Sequence, residues 1–100
     1  MRKNIIHLLF GGNMYVIIVY DIKIERVNKV KSYLRQHLFW IQNSVFEGEI
    51  TQSQYNEITT HLEEIIDNDV DSIIIFTSRM EELIDKKVIG IEKSKIDQIL

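Results

Sequence analysis

Two solid apolar runs constrain the fold of this chain more than any other feature. The first covers residues 14–20 and ends at Asp21, and the second covers residues 73–76. Short runs rich in Val and Ile that end at polar residues are typical of buried strands. We therefore expect both runs to be central strands of one sheet.

Two segments between these runs have the periodicity of amphipathic helices. In residues 25–38, apolar side chains recur every three or four positions with basic side chains between them. The second helix is predicted to begin at Thr51, because Gln54 completes a capping-box pattern, and to end at the polar cluster of residues 67–69. Between the helices, residues 39–42 and 44–49 form two short β-prone runs.

The resulting order, β-α-β-β-α-β, is the ferredoxin-like pattern of an α+β fold. Residues 88–91 predict an additional C-terminal strand. This topology packs both helices on one sheet face and leaves the other face uncovered. Because that face would carry apolar side chains, we expect a homodimer in which two open faces meet.

The same pattern predicts one domain with two flanking segments. Residues 14–91 form the ferredoxin-like domain, residues 1–13 an N-terminal extension, and residues 92–100 a C-terminal tail that is a candidate partner-docking segment. The extension imitates a secretory signal, but its apolar stretch is short and no small-residue cleavage pattern follows. The chain has no cysteine, and its apolar stretches are far shorter than the roughly 20 residues of a membrane helix. We expect a cytoplasmic protein that does not span a membrane.

The net charge of −3 conceals an uneven distribution. Residues 1–37 carry seven basic and two acidic side chains, or +5, whereas residues 38–100 carry five basic and thirteen acidic side chains, or −8. A basic block around the first helix, which includes Lys29, attracts phosphate even in an acidic protein. The alternative is a solvated helix face.

Few residues have a pattern that indicates chemistry. The three histidines lack zinc-site spacing, no glycine-rich phosphate loop is present, and neither Ser44 nor Ser72 stands in a nucleophile elbow. Asp21 differs, because the carboxyl end of a buried strand is where α/β architectures expose functional groups. The alternative is that Asp21 caps the first helix.

Two blocks of sequence resemble the CRISPR-associated protein two family, the small endoribonuclease-like proteins of spacer acquisition. Residues 15–22, YVIIVYDI, with the Arg-Val step at residues 26–27, resemble the opening of that family. Residues 41–49, IQNSVFEGE, match more distinctively through the Q-x-S-V-F-E-G core, and residues 88–91 also match.

The resemblance implies a ferredoxin-like homodimer in which Asp21 comes close to its symmetry mate. It implies one Mg²⁺ ion shared by Asp21 of two chains, and a metal-dependent endonuclease that cleaves RNA or duplex DNA. With Lys29 from the basic block, the expected nucleic-acid-binding residues are Tyr20, Arg26, Lys29, Ser44 and Phe46. Tyr20 and Phe46 also suit core or dimer-interface aromatics, and Arg26 also suits a solvated helix charge.

Two departures from the family pattern bear on how well such a protein would cleave. Trp40 stands where some relatives place a basic residue, and the loop from Asp21 to Arg26 is short with few acids. A rival hypothesis is a non-catalytic scaffold that binds duplex DNA and holds two copies of the CRISPR integrase subunit apart. A third is a toxin-like messenger-RNA nuclease, since toxin families share this fold.

Overall fold

A computed structural model describes residues 13–79 and 84–94. The elements in chain order are β1 (Asn13–Asp21), α1 (Ile24–Arg35), β2 (Phe39–Gln42), β3 (Val45–Thr51), α2 (Gln52–Ile65) and β4 (Ser72–Ser78). This order confirms the predicted ferredoxin-like pattern. Of the flanking segments predicted from the sequence, residues 1–12 and 95–100 lie outside the described residues.

The strands form one antiparallel sheet in the order β2-β3-β1-β4. Strand β1 is central and pairs Ile17 with Glu47 of β3 and with Phe76 of β4. The prediction that β4 is also central was wrong, because β4 forms an edge. The apolar run of β4 places apolar side chains on both faces of the sheet. The number of neighbouring strands depends instead on pairing at the two edges of β4, which the run does not determine.

The hydrophobic core lies between the sheet and both helices. Alternate residues of each strand point to this covered face, in accordance with the two-residue period of a strand. The helices contribute side chains from one stripe each, so both pack on the same side. The buried core consists of Val16, Ile18, Tyr20, Val30, Leu34, Leu38, Phe46, Ile50, Ile58 and Leu62.

The two helices begin in different ways. Thr51 caps α2 through a complete capping box: its Oγ1 accepts from the Gln54 amide at 3.1 Å, and Gln54 Oε1 accepts from the Thr51 amide at 2.8 Å. Helix α1 has Lys23 at its N-cap, and the Lys23 side chain makes no capping hydrogen bond. Asp21 therefore does not cap α1. Neither helix, within the ranges 13–79 and 84–94, is long and apolar enough to cross a bilayer.

The hairpin between β2 and β3 contains two locally constrained residues. Asn43 adopts a positive φ of 44° in the turn, a conformation that Asn tolerates better than most residues. Gly48 lies in β3, where an added Cβ would be 2.9 Å from Leu38 Cδ2. The glycine therefore allows the chain entering β2 to pack closely over β3.

Residues 84–94 run beside the sheet without joining it. Lys86 Nζ lies 3.0 Å from Glu47 Oε2, which ties this segment to β3. Residues 88–91 form no strand, so the prediction of an additional C-terminal strand is wrong for the single chain. The physical reason is that they pair with no sheet edge of their own chain, and Ile89 and Ile91 remain 87% and 69% exposed.

Candidate functional site

Asp21 is the last residue of β1 and is exposed. Its partner in the ladder is Ser72, the first residue of β4. Strand alternation places its side chain with those of Ile17 and Val19 on the face that the helices leave open. Within the described part of the chain, no hydrogen bond or ion pair engages its carboxylate. Asp21 is therefore available to a ligand.

At this position one chain supplies the carboxylate of Asp21. Among residues 13–79 and 84–94, no group of three His, Cys, Asp or Glu side chains is arranged to hold a metal ion. Magnesium is commonly held by one or two carboxylates, with water and substrate phosphate completing its octahedron. Asp21 fits such an ion as a shared ligand, with a second carboxylate from another copy.

The structure brings Tyr20, Ser44 and Phe46 together, but around the core. Tyr20 and Phe46 are 5% and 0% exposed, and their rings stack with centroids 6.2 Å apart. The Tyr20 amide donates to the Ser44 carbonyl at 3.1 Å. Burial raises the pKa of the Tyr20 hydroxyl, opposed by the charge of Arg35 and a hydrogen bond with the Ser44 side chain. In one chain the two aromatic rings are core residues and offer no free face for a nucleic-acid base.

Arg26 is engaged by a carboxylate that the sequence analysis did not single out. Its Nε lies 2.6 Å from Asp71 Oδ2, and its Nη1 lies 3.5 Å from Glu25. The hydrogen bond with Asp71 raises the pKa of Arg26, and the same bond holds the pKa of Asp71 well below its usual range. The two residues are 45 positions apart. The one local sequence feature that could have identified Asp71 is its position as an acidic residue directly before an apolar strand.

The remaining basic residues of α1 lie in two places. Lys31 and Arg35 stand over the Trp40 ring, with their charged groups 6.0 and 5.9 Å from its centroid, within cation–π range. Two positive charges therefore lie close to the Trp40 ring. Lys29 is exposed on another side of the helix.

Glu47 is a buried carboxylate on the open face. The sequence patterns did not identify its structural role. Glu47 is 6% exposed and shares this face with Ile17, its partner in β1. Its Oε1 accepts a hydrogen bond from the Tyr15 hydroxyl at 2.8 Å, and Lys86 Nζ is 3.0 Å from its Oε2. These two donors compensate the burial of the charge.

Comparison with known proteins gives one consistent result. Residues 14–86 match the model of the family described as CRISPR associated protein Cas2. A protein of Methanothermobacter thermautotrophicus is 56% identical over 87 residues, which cover 87% of this chain and 96% of that protein. A protein of Methanocaldococcus jannaschii is 49% identical over 98 residues, covering 98% and 86%. Both bear the name CRISPR-associated endoribonuclease Cas2.

Solved structures agree with the sequence comparison. A Cas2 crystal structure superposes with a TM-score of 0.77 at 44% identity, covering 83% of this chain and 93% of that one. Cas2 of Streptococcus pyogenes gives 0.58 at 31% identity, covering 62% and 82%. A hypothetical protein of Thermus thermophilus, with a TM-score of 0.71 at 21% identity and coverage of 80% and 94%, supports the fold alone.

Proposed function

This chain belongs to the CRISPR-associated protein Cas2 family, and on that premise we propose that it is a dimeric, metal-dependent endonuclease of CRISPR spacer acquisition in the cytoplasm. The observation that carries the proposal is the exposed, unengaged carboxylate of Asp21 at the end of the central strand. The names of the relatives in Methanothermobacter and Methanocaldococcus make RNA the first substrate class to test, with duplex DNA as the second.

The open sheet face supports the dimer. Ile74 and Phe76 of β4 are 52% and 57% exposed beside the half-buried Ile17 and Val19. An apolar patch of this kind favours association, and a two-fold symmetric pair is the commonest arrangement. Because Asp21 projects from the same face, two copies meeting there would bring both carboxylates to one interface.

The two Asp21 carboxylates would then share one Mg²⁺ ion. When bound, magnesium supplies positive charge at the scissile phosphate and makes a neighbouring water easier to ionise. The protein's own contribution is to fix two carboxylates at the ends of two rigid central strands. Building the site on strands keeps its geometry precise.

Cleavage by the purified protein tests this function directly. Single-stranded RNA and duplex DNA, each end-labelled, are incubated with parent protein in magnesium or in chelator, beside Asp21→Ala. Asp85→Asn is the matched control, because it neutralises an exposed aspartate remote in sequence from β1. We expect Asp21→Ala to reduce the rate by at least about a hundredfold, chelation to abolish cleavage, and the control to retain it.

Cleavage that survives both Asp21→Ala and chelation would contradict the proposal. Loss of cleavage in Asp85→Asn to the same extent would show that the assay reports general damage to the protein. Circular dichroism of each variant establishes that the fold is retained.

A second candidate function is a non-catalytic scaffold that binds duplex DNA and docks the CRISPR integrase subunit. Two observations favour it. Asp21 is the single catalytic candidate, and three residues expected to bind the nucleic acid are buried (Tyr20 and Phe46) or paired (Arg26) in one chain. The exposed apolar residues Ile89 and Ile91 suit a docking segment.

DNA binding by this scaffold would use exposed charges such as Lys29. Each phosphate contact contributes about −0.9 to the slope of log affinity against log salt, so Lys29→Ala should flatten that slope by about one. Lys87→Ala, an exposed lysine of the C-terminal segment, is the control. An unchanged slope in Lys29→Ala would remove Lys29 from the DNA-binding surface.

A further inference from the structure

The Asp71 carboxylate joins two segments of the chain, the β1–α1 connection with the first turn of α1 and the loop between α2 and β4. Its side chain is 0% exposed. Oδ1 accepts from the Lys23 amide at 2.8 Å and from Arg26 Nη2 at 3.2 Å. Oδ2 accepts from Arg26 Nε at 2.6 Å and from the Asp67 amide at 2.8 Å. A buried carboxylate is tolerated only when its hydrogen bonds are satisfied in this way, so the two segments are held to one point.

These segments are the ones that surround Asp21. Asp71 directly precedes Ser72, the ladder partner of Asp21. Lys23 lies two residues after Asp21, at the N-cap of α1. The Asp71 carboxylate therefore fixes the chain on the far side of Asp21, where the β1 ladder has ended and α1 has no side-chain cap of its own.

We propose that Asp71 is a positioning residue for Asp21, acting through the Lys23 amide, and that Arg26 serves as its partner and not as a nucleic-acid contact. This inference rests on the proposed function, because it concerns the same carboxylate. Neither Asp71 nor Arg26 touches the substrate in this scheme. They hold the β1–α1 connection in the geometry that presents Asp21.

The surroundings of Arg26 support this assignment. Two of its three guanidinium nitrogens bond to Asp71, and the third faces Glu25 at 3.5 Å. A phosphate approaching this guanidinium would meet two carboxylates, one of them fully buried. A bidentate Arg–carboxylate pair also fixes direction as well as distance, which is what a positioning role requires.

The main test is Asp71→Asn in the cleavage assay, with the turnover number and KM measured separately. The amide of Asn would present N–H groups to Arg26 and to the Asp67 amide, so the network cannot close. We expect kcat to fall about ten- to a hundredfold with little change in KM, as expected when a reacting group is misplaced by about an ångström. Asp69→Asn, an exposed residue of the same loop, is the matched control and should retain parent kinetics.

Hydrogen exchange at the Lys23 amide gives a readout independent of activity. In the parent this N–H donates to Asp71 and should exchange slowly, whereas in Asp71→Ala, which removes the acceptor, it should exchange at least about tenfold faster. A variant in which the Lys23 amide is freed and kcat is unchanged would overturn the inference while leaving Asp21 as the catalytic residue.

Arg26→Lys keeps the test decisive if Asp71→Asn does not fold. Lysine preserves the charge opposite Asp71 but loses the fork, so kcat should fall by a smaller factor than in Asp71→Asn. In Arg26→Gln, which removes the charge, the salt slope of duplex binding should stay at the parent value. A slope reduced by about one in Arg26→Gln, with kcat unchanged in Arg26→Lys, would identify Arg26 as a phosphate contact and overturn the inference. If the parent shows no Asp21-dependent cleavage, the proposed function and this inference fail together.

Discussion

The two faces of the sheet are built from the same four strands but differ in burial. On the covered face, Val16, Ile18 and Phe46 are 0–1% exposed beneath the helices. On the open face, Ile74 and Phe76 remain more than half exposed although they belong to an equally apolar run. The covered face is completed within one chain, whereas the open face of one chain keeps apolar side chains exposed. Stability therefore resides mainly on the covered face, and the proposed association would use the open one.

The largest expected effect comes from truncating the same residue type on each face. Phe46→Ala should lower the free energy of unfolding by about 3–5 kcal/mol, because it empties a fully buried site in the core. Phe76→Ala should cost less than about 1 kcal/mol in dilute protein, since its ring is already largely exposed. Urea unfolding at several protein concentrations measures both. Equal losses in dilute protein would contradict the distinction between the faces.

The next effect concerns association through the open face. Ile74→Asp places a charge in the proposed interface and should weaken dimerisation by about 2 kcal/mol or more, roughly thirtyfold in the dissociation constant. Sedimentation equilibrium measures it. Thr77→Asp is the control, because Thr77 is an exposed residue of the same strand that alternation places on the opposite face. A monomeric parent at micromolar concentration would refute this use of the open face.

A smaller effect should appear on acidification, at the end of the sheet where Asp71 joins the helix layer to β4. The hydrogen bond from Arg26 depresses the pKa of Asp71 in the folded chain. Its contribution to stability is therefore complete above the unfolded pKa of about 4 and is lost as the pH falls toward the lower folded pKa. Between about pH 4 and pH 2, the melting temperature of the parent should fall more steeply than that of Asp71→Asn.

Asp69→Asn serves as the control for this pH series and should follow the parent curve. Parallel curves for the parent and Asp71→Asn would show that the Asp71 carboxylate contributes nothing to acid sensitivity.

The smallest expected effect is local to the covering layer. Thr51→Ala removes one side of the α2 capping box and should cost about 1 kcal/mol of unfolding free energy. Thr60→Ala, at an exposed position inside the same helix, should change it by less than about 0.5 kcal/mol. Neither substitution should alter the dimer dissociation constant. A shift in self-association for Thr51→Ala would mean that the two faces are coupled.

Local patterns predicted the order of the elements because each pattern is complete within a few residues. The capping box at Thr51 and the polar cluster after α2 locate that helix correctly. The position of β4 was not predictable in the same way, since an apolar run has the same sequence whether its strand is central or at an edge. The additional strand at residues 88–91 failed for a related reason: strand formation depends on an available edge as well as on composition.

The candidate site was predictable only in part. The exposed position of Asp21 was predictable because strand periodicity locates the end of β1, whereas its catalytic role stays a prediction. The pairing of Arg26 with Asp71 depends on the return of the chain from α2 to β4, which no short-range pattern encodes. Phe46 belongs to a distinctive motif, but the motif does not determine which sheet face its side chain occupies. That face is determined by the pairing of Phe46 with Ile18 in the register of β1 and β3.

Glu47 gives the open face a selectivity that apolar area alone cannot provide. Any surface that covers this face must leave the Tyr15 and Lys86 bonds in place or supply donors of its own, because an abandoned carboxylate in a dry interface is strongly unfavourable. A flat apolar surface without hydrogen-bond donors does not meet that requirement. The same charge disfavours indiscriminate stacking on this face, because burying it without donors costs free energy. Glu47 thus favours a partner surface with matching donors and disfavours a purely apolar one.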